Sequence, residues 1–412
     1  MWHLWLALRQ NPAFWSIVSI PLVAAIITWV HVWLAMKMVF YPIEFIGLHP
    51  PYLGWQGIIP RKAGRMAGII VDNALSKLGS VEEFFRECQP EQVAEQIAEH
   101  VHDHAEDIAD ELMLQNNRVF WENLPRDLRA VLVQALRRHA RPIAHNILAD
   151  LQDKVSDYID LRAMVVRRMS EDRPLLVAMF QQVGANEIRF IVNSSFWIGL
   201  FFGFVQMALW IALPYGWGLP IYGAALGYLT NWVALTLVFE PTQAYRIGGQ
   251  RYGITLQGLF LRRQAEVSAM FAELTASEVL NIHNFMQEIF KGPRQERTRA
   301  LILRHIRPVL DRLSVRTAAL LTIGPRAYAD LKLQVVDTMI ESTLRPLADP
   351  ALNRRHGALL RQSLEVRMQQ MSSEEFQGLL RPAFQEDEWI LIGMGAVMGL
   401  IAGSLQLLLG FH

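Results

Sequence analysis

The chain carries one long stretch twice over. PLVAAIITWVHVWLAMKMVFYPIEFIG, beginning at Pro21, returns as PIYGAALGYLTNWVALTLVFEPTQAYRIG, beginning at Pro220. At an offset of 199 positions, Pro21, Ala25, Trp33, Ala35, Val39, Phe40 and Pro42 meet Pro220, Ala224, Trp232, Ala234, Val238, Phe239 and Pro241. At an offset two larger, Gln56-Gly57 and Arg61-Lys62 meet Gln257-Gly258 and Arg262-Arg263. Gly199, Gly203 and Gln206 recur as Gly399, Gly403 and Gln406, and Arg138-His139-Ala140-Arg141-Pro142 recurs as Arg304-His305-Ile306-Arg307-Pro308. A set of matches kept in the same order along the chain is the signature of an internal repeat, which constrains a fold before local propensity does. The chain is read as two tandem copies, residues 1–214 and 215–412.

Crossing a bilayer takes roughly 20 consecutive apolar residues. Four stretches approach that length, at about 14–40, 195–214, 218–239 and 389–410. Tryptophan placement decides between a membrane and a large buried core. Of the 12 tryptophans all but Trp121 lie in or beside these stretches, as the aromatic belts of spanning helices require. The opening MWHLWLALRQN has neither a positive n-region nor a small-residue cleavage site, so the first span reads as a retained anchor. Each copy is then a transmembrane helix, an elbow, a long soluble helical segment (about 61–189 and 263–388) and a second transmembrane helix. The expected fold class is an all-α membrane protein built by tandem duplication.

The soluble segments show helical stripes, among them Val93, Ile97, Val101, Ala105, Ile108 and Leu112. Ser80-Val81-Glu82-Glu83 has the form of a capping box, and Pro142 is expected to kink its helix. No run alternates well enough to predict a strand, so two helical domains are expected outside the membrane. The elbow GLHPPYLGWQG cannot be regular helix. Its continuation Ile58-Ile59-Pro60-Arg61-Lys62, like Leu259-Phe260-Leu261-Arg262-Arg263, sets apolar residues beside cations. That pattern suits the headgroup layer, and equally a loop packed on the soluble part.

Two spans per copy place both soluble segments on one side and make the copies parallel repeats. Arg9 is the sole Arg or Lys on one side, whereas Lys37, Arg61, Lys62, Arg65, Arg189, Arg246, Arg251, Arg262 and Arg263 flank the spans on the other. The positive-inside rule puts the soluble segments in the cytoplasm. Lys+Arg and Asp+Glu each number 39, so no net charge points to a nucleic-acid partner. Cys88 is the single cysteine, which excludes an intrachain disulfide and a cysteine-based zinc cage.

Three sets of residues could carry chemistry. Arg61, Lys62, Arg262 and Arg263 at the elbows, with Arg138, Arg141, Arg304 and Arg307 in the repeated basic motif, could bind anions such as lipid headgroups; for the basic motif the plainer alternative is a helix–helix contact with acidic neighbours. His31, Thr230 and Asn231 are polar at bilayer depth, where such groups face a bundle interior or a water path, and helix–helix hydrogen bonding is the plainer reading. His100, His104 and Asp107 share a helix face with metal-ligand spacing, but on a helix charged all round and with no counterpart in the second copy. No metal and no cofactor is therefore predicted. Gly199-x3-Gly203 and Gly399-x3-Gly403 look like packing faces of spans two and four. No nucleophile elbow, phosphate loop, dinucleotide fingerprint or HExxH occurs, so nothing supports an enzyme.

Leu229-Thr230-Asn231-Trp232-Val233-Ala234, Phe239-x-Pro241 and Gln257-Gly258-Leu259-Phe260-x-Arg262-Arg263 together resemble the bacterial membrane proteins grouped as domain of unknown function 445. The ending Leu380-Arg381-Pro382-Ala383-Phe384-Gln385-Glu386-Asp387-Glu388-Trp389, running into a glycine-rich span, is similar to that family too. The likeness covers most of the chain and departs in copy one, where His31-Val32 stands for Thr-Asn. It implies a multi-pass protein of the bacterial inner membrane with helical domains, and no reaction. The leading functional expectation is a non-enzymatic membrane-anchored scaffold. The alternative is lipid handling or transport through an oligomer of the duplicated spans. The expected partners are membrane lipids, anionic ones included, and further copies of the chain. An apolar groove along the soluble helices separates the two readings, because lipid handling needs one and a scaffold does not.

Overall fold

A computed structural model describes residues 12–49, 53–123, 126–212, 217–247, 254–311, 313–385 and 388–408. The principal helices are, in chain order, α1 (Pro12–Phe40), α2 (Pro90–Asp103), α3 (Ala105–Asn123), α4 (Arg126–Asp153), α5 (Ala185–Ala212), α6 (Gly218–Phe239), α7 (Ile282–Lys291), α8 (Gln295–Leu310), α9 (Leu313–Leu347) and α10 (Glu388–Leu408). Among the described residues, α1, α5, α6 and α10 are long and apolar enough to cross a membrane. The all-α membrane fold stands.

The chain divides into two compact units. One comprises Met1–Ala74, Val166–Phe271 and Arg367–His412, and holds the four spans. The other comprises Leu75–Val165 and Ala272–Val366. The two soluble segments thus build one helical unit where two domains were expected, and each half of the chain contributes to both units.

In the span unit α1 packs on α5 and α6 packs on α10. Glycine permits the closeness. A Cβ on Gly203 would lie 2.6 Å from Pro21 Cα, and one on Gly403 would lie 2.8 Å from Pro220 Cα. Between α6 and α10 a Cβ on Gly227 would lie 2.0 Å from the Gly395 carbonyl oxygen. Gln206 and Gln406 are buried beside these glycines, so the small-residue faces are packing faces as the spacing predicts. The opposite faces expose Trp29, Trp33, Trp197 and Trp232, the arrangement a hydrocarbon surround stabilises.

The elbows contain short antiparallel hairpins that the sequence did not predict. The first pairs β1 (Ile46–His49) with β2 (Leu53–Trp55), and the second pairs β3 (Tyr245–Ile247) with β4 (Ile254–Leu256). Three or four residues are too few to display an alternating pattern. The repeated Gln-Gly closes each elbow. Gln56 Nε2 donates to the Ile43 carbonyl (2.7 Å) and Gly57 N to that of Pro42 (2.9 Å), while Gln257 Nε2 donates to Thr242 (3.5 Å) and Gly258 N to Pro241 (3.0 Å). The elbow bases also pair with nearby helices, Glu44 with Arg173 (3.1 Å) and Glu240 with Arg381 (2.9 Å). On the strands of the first hairpin Leu48 is 92% exposed, beside exposed Ile46 and Leu53.

In the helical unit Ser80 caps Val81–Glu87 by accepting from Glu83 N at 3.2 Å. Pro90 opens α2, and the continuous stripe from Val93 to Leu112 breaks at His104 between α2 and α3. Helix α4 runs 28 residues with Pro142 inside it. Gly324, at φ 80° and followed by Pro325, breaks α9 internally. The core brings both halves together: Phe85 and Phe285 meet edge to face at 5.8 Å, both fully buried, each contributing about 1.5–3 kcal/mol of burial.

Candidate functional site

Most of the cations singled out from sequence are either paired or simply solvated. Arg263 lies at 2.7 Å from buried Glu187 and 2.6 Å from Glu266, and with its amide oxygen turned inward Asn186 also accepts from it. That cation is engaged in the fold. Arg61 and Arg262 end the short helices Ile58–Arg61 and Leu259–Arg262 with exposed side chains, and Lys62 is half-buried. Arg141 pairs with Glu95, which also meets His145 Nε2 at 3.2 Å. His305 meets Asp150 at 2.9 Å, whereas Arg138, Arg304 and Arg307 are exposed. The repeated basic motif therefore serves helix contacts through Arg141 in the first copy and His305 in the second, buries Ile306, and exposes Arg138, Arg304 and Arg307.

The intramembrane polar residues converge in the span unit. Thr230, Asn231 and His31 are all buried. Thr230 Oγ1 donates back to the Leu226 carbonyl at 2.8 Å, and Asn231 Nδ2 donates to the Leu391 carbonyl on α10 at 2.8 Å. The imidazole of His31 has the Asn231 side chain and the Ile27 carbonyl as its polar neighbours, but neither nitrogen makes a well-formed hydrogen bond. Asn231 thus ties α6 to α10 and stands beside α1. Its arrangement is that of an interhelical fastener.

His100 and His104 stack with ring centroids 4.3 Å apart, and His104 Nδ1 lies 3.0 Å from the His100 carbonyl. Burial, then the neighbouring charges of His104 and Arg345, lower the His100 pKa. Asp107 is exposed, and no group of three metal-ligating side chains gathers among the described residues.

The feature of greatest chemical interest is one that no motif announced. A partly open cavity of ≈ 190 Å³ lies inside the helical unit, walled by α2, α3, α4, α7, α8 and α9. Its wall is almost wholly hydrocarbon, including Ile97, Leu112, Trp121, Ala144, Phe290 and Met339. An apolar cavity of about 150 Å³ stays dry and accepts hydrocarbon guests, so this one favours an apolar occupant over water. Among the described residues, His139 is the one titratable side chain in the wall. Trp121 directs its indole N–H away to Asp110 (2.7 Å) and carries Arg129 over its ring at 5.1 Å. Charge gathers at neighbouring positions: Arg345 pairs with Glu111 at 2.8 Å and Lys332 with Asp311 at 2.5 Å. The only sequence signal was an apolar stripe on α2 and α3, which reads as ordinary core until the facing helices are known to leave a gap.

Fold and site together define an all-helical membrane protein with an apolar chamber in its extramembrane helices. Its relatives agree with the first part. The chain is 34% identical over 111 residues to a UPF0754 membrane protein of Synechococcus sp. strain JA-3-3Ab, covering 26% of this chain and 25% of that one. It is 27% identical over 201 residues to one of Synechococcus elongatus, covering 45% and 41%. A third, from another Synechococcus strain, is 29% identical over 196 residues, covering 45% and 42%. The chain thus matches less than half the length of these curated relatives. All three relatives are named UPF0754 membrane proteins, a name that corresponds to the family of domain of unknown function 445, which the sequence motifs resemble. No protein-family model matches the chain, and no solved structure does.

Proposed function

We propose that this protein handles lipid at a membrane, anchored by α1, α5, α6 and α10 and using the chamber among α2, α3, α4, α7, α8 and α9 to take an acyl chain. The chamber carries the reading: a helical scaffold needs only a solid bundle with a solvated surface, whereas here a hydrocarbon-lined space of ≈ 190 Å³ is left unfilled. Keeping such a void costs packing energy unless something occupies it. The basic residues near the spans favour a cytoplasmic helical unit in a bacterial inner membrane. The exposed cations Arg61, Arg262, Arg304 and Arg307 suit anionic headgroups. Further copies of the chain could complete a transport path, since four spans alone enclose little.

Native mass spectrometry of full-length protein released from detergent tests this, with Ala144→Phe as the variant. Ala144 lines the chamber, and the added ring fills it. The expected result is a lipid of one acyl class retained by the wild type and lost from the variant, with unchanged helical circular dichroism. A wild type that carries no such lipid, or a folded variant that keeps it, overturns the reading.

A further inference from the structure

The first elbow hairpin carries apolar side chains on its outside. Ile46, Leu48 and Leu53 are all exposed, and among the described residues no large apolar side chain is more exposed than Leu48. The strand register shifts between Gly47 and His49, so Leu48 is the extra residue of a bulge, a device that re-aims a side chain. Gly47 faces Gly54 across the strands, and that pair offers no side chain to shelter its neighbours. A contiguous apolar display on a short open hairpin calls for a covering surface.

Position identifies the cover. The hairpin begins at Ile46, six residues beyond Phe40 where α1 ends, and β3 begins at Tyr245, six beyond Phe239 where α6 ends. The first hairpin is folded back onto the end of its span. Trp55 Nε1 donates to the Tyr41 carbonyl at 3.3 Å, and Lys37 Nζ lies 5.7 Å from the centre of the Tyr41 ring. Lysine, tyrosine and tryptophan gathered at the end of a spanning helix mark the headgroup layer. Arg173 on Glu44 (3.1 Å) and Gln181 on Tyr41 (3.3 Å) tie the elbow to the helix Arg173–Val183 that precedes α5, so its place is fixed. Ile58, Ile59 and Pro60, the apolar residues expected from sequence to meet the headgroups, are buried in the fold. At this elbow the outward apolar surface is the hairpin's.

We infer that the first elbow hairpin dips Ile46, Leu48 and Leu53 into the interfacial layer of the bilayer that α1, α5, α6 and α10 cross. The backbone limits the depth. A two-stranded hairpin leaves outer N–H and C=O groups unpaired, which hydrocarbon does not tolerate, whereas the headgroup boundary offers water to the backbone and hydrocarbon to the side chains. Lipid is favoured over a protein partner because the cover must lie at the level of Lys37, Tyr41 and Trp55, where lipid already surrounds the span. The inference does not depend on the chamber.

Fluorescence quenching in nanodiscs of phosphatidylcholine and phosphatidylglycerol tests it. Full-length protein in a Cys88→Ala background carries a nitrobenzoxadiazole probe at Leu48→Cys, at Ile26→Cys on the exposed flank of α1, or at Asp103→Cys on the helical unit. Nitroxide lipids labelled at the headgroup, near the carbonyl end or near the methyl end of the acyl chain report depth, and aqueous iodide reports access to water. The Leu48 probe is expected to emit to the blue of the Asp103 probe and to be quenched most by the headgroup and carbonyl-end nitroxides. The Ile26 probe is quenched most by the methyl-end nitroxide. Leu53→Cys, at a second exposed position, is expected to repeat the Leu48 order and serves if one variant fails to fold. Emission and iodide quenching equal to those at Asp103 would put the hairpin in water and overturn the inference. Shielding from iodide without quenching by any lipid nitroxide would mean that protein covers the hairpin, and overturns the membrane as its occupant. Strongest quenching by the methyl-end nitroxide would place the hairpin in the hydrocarbon and overturn the interfacial depth.

Discussion

Glu187 begins α5 with its side chain 5% exposed, and its charge is held by Arg263 at 2.7 Å. Breaking a buried pair strands the other charge at a cost of about 3–5 kcal/mol. Glu187→Ala is therefore expected to lower stability by about 3 kcal/mol, near the low end because Arg263 keeps Glu266. Glu266→Ala, at a side chain 65% exposed, is expected to cost less than about 1 kcal/mol. Thermal unfolding in detergent distinguishes the two. His356 makes a second residue-scale prediction. It is fully buried with Nε2 at 3.1 Å from Gln96 Oε1, and burial, then the Arg355 cation, lower its pKa below 6.5. The unfolded chain takes up this proton at about pH 6.5, and the folded chain only at lower pH. Acidification through that window favours unfolding, so stability rises with pH there, and His100 adds the same sign. His356→Gln is expected to flatten the pH dependence of denaturation between about pH 5 and 7. A steeper dependence in the variant would contradict this.

The helix pairs of the span unit make a sharper prediction, because their contact is backbone against backbone. Gly227→Val must push against the Gly395 carbonyl oxygen, 2.0 Å from where its Cβ would fall. Gly393→Ala meets nothing within 4 Å. The first should cost at least about 2 kcal/mol of overpacking, and the second should be neutral or stabilising by up to about 1 kcal/mol from helix propensity. Equal effects in a thermal-shift assay would show that α6 and α10 do not pack through these glycines. Much at this scale was legible. The spans came from apolar length, the glycine faces from four-residue spacing, and the Ser80 cap from its flanking carboxylates. The hairpins were not legible, since β3 and β4 are three residues each and their pairing is fixed by the Gln-Gly closure.

For the whole molecule, the halves of the chain are interlocked inside the helical unit. Glu111 pairs with Arg345, Gln96 with His356, Ser363 with Glu87 (2.7 Å), and Cys88 Sγ reaches the Leu280 carbonyl at 3.6 Å. Residues 1–214 and 215–412 expressed as separate chains are expected to co-purify when only one is tagged; recovery of the tagged half alone would argue against so interwoven a unit. The amino-acid sequence by itself determined the membrane class, the placement of four spans, the helical character of the rest and the resemblance to domain of unknown function 445. Apolar length, tryptophan position and repeated motifs are properties of a line of residues. Only the tertiary structure decided that the soluble segments merge into one unit, that Arg263 is committed to Glu187, and that six amphipathic helices fall short of filling the space between them. A stripe of apolar residues states which face is buried. Whether the facing stripes meet or leave a chamber depends on helix separation and crossing, which no single helix encodes.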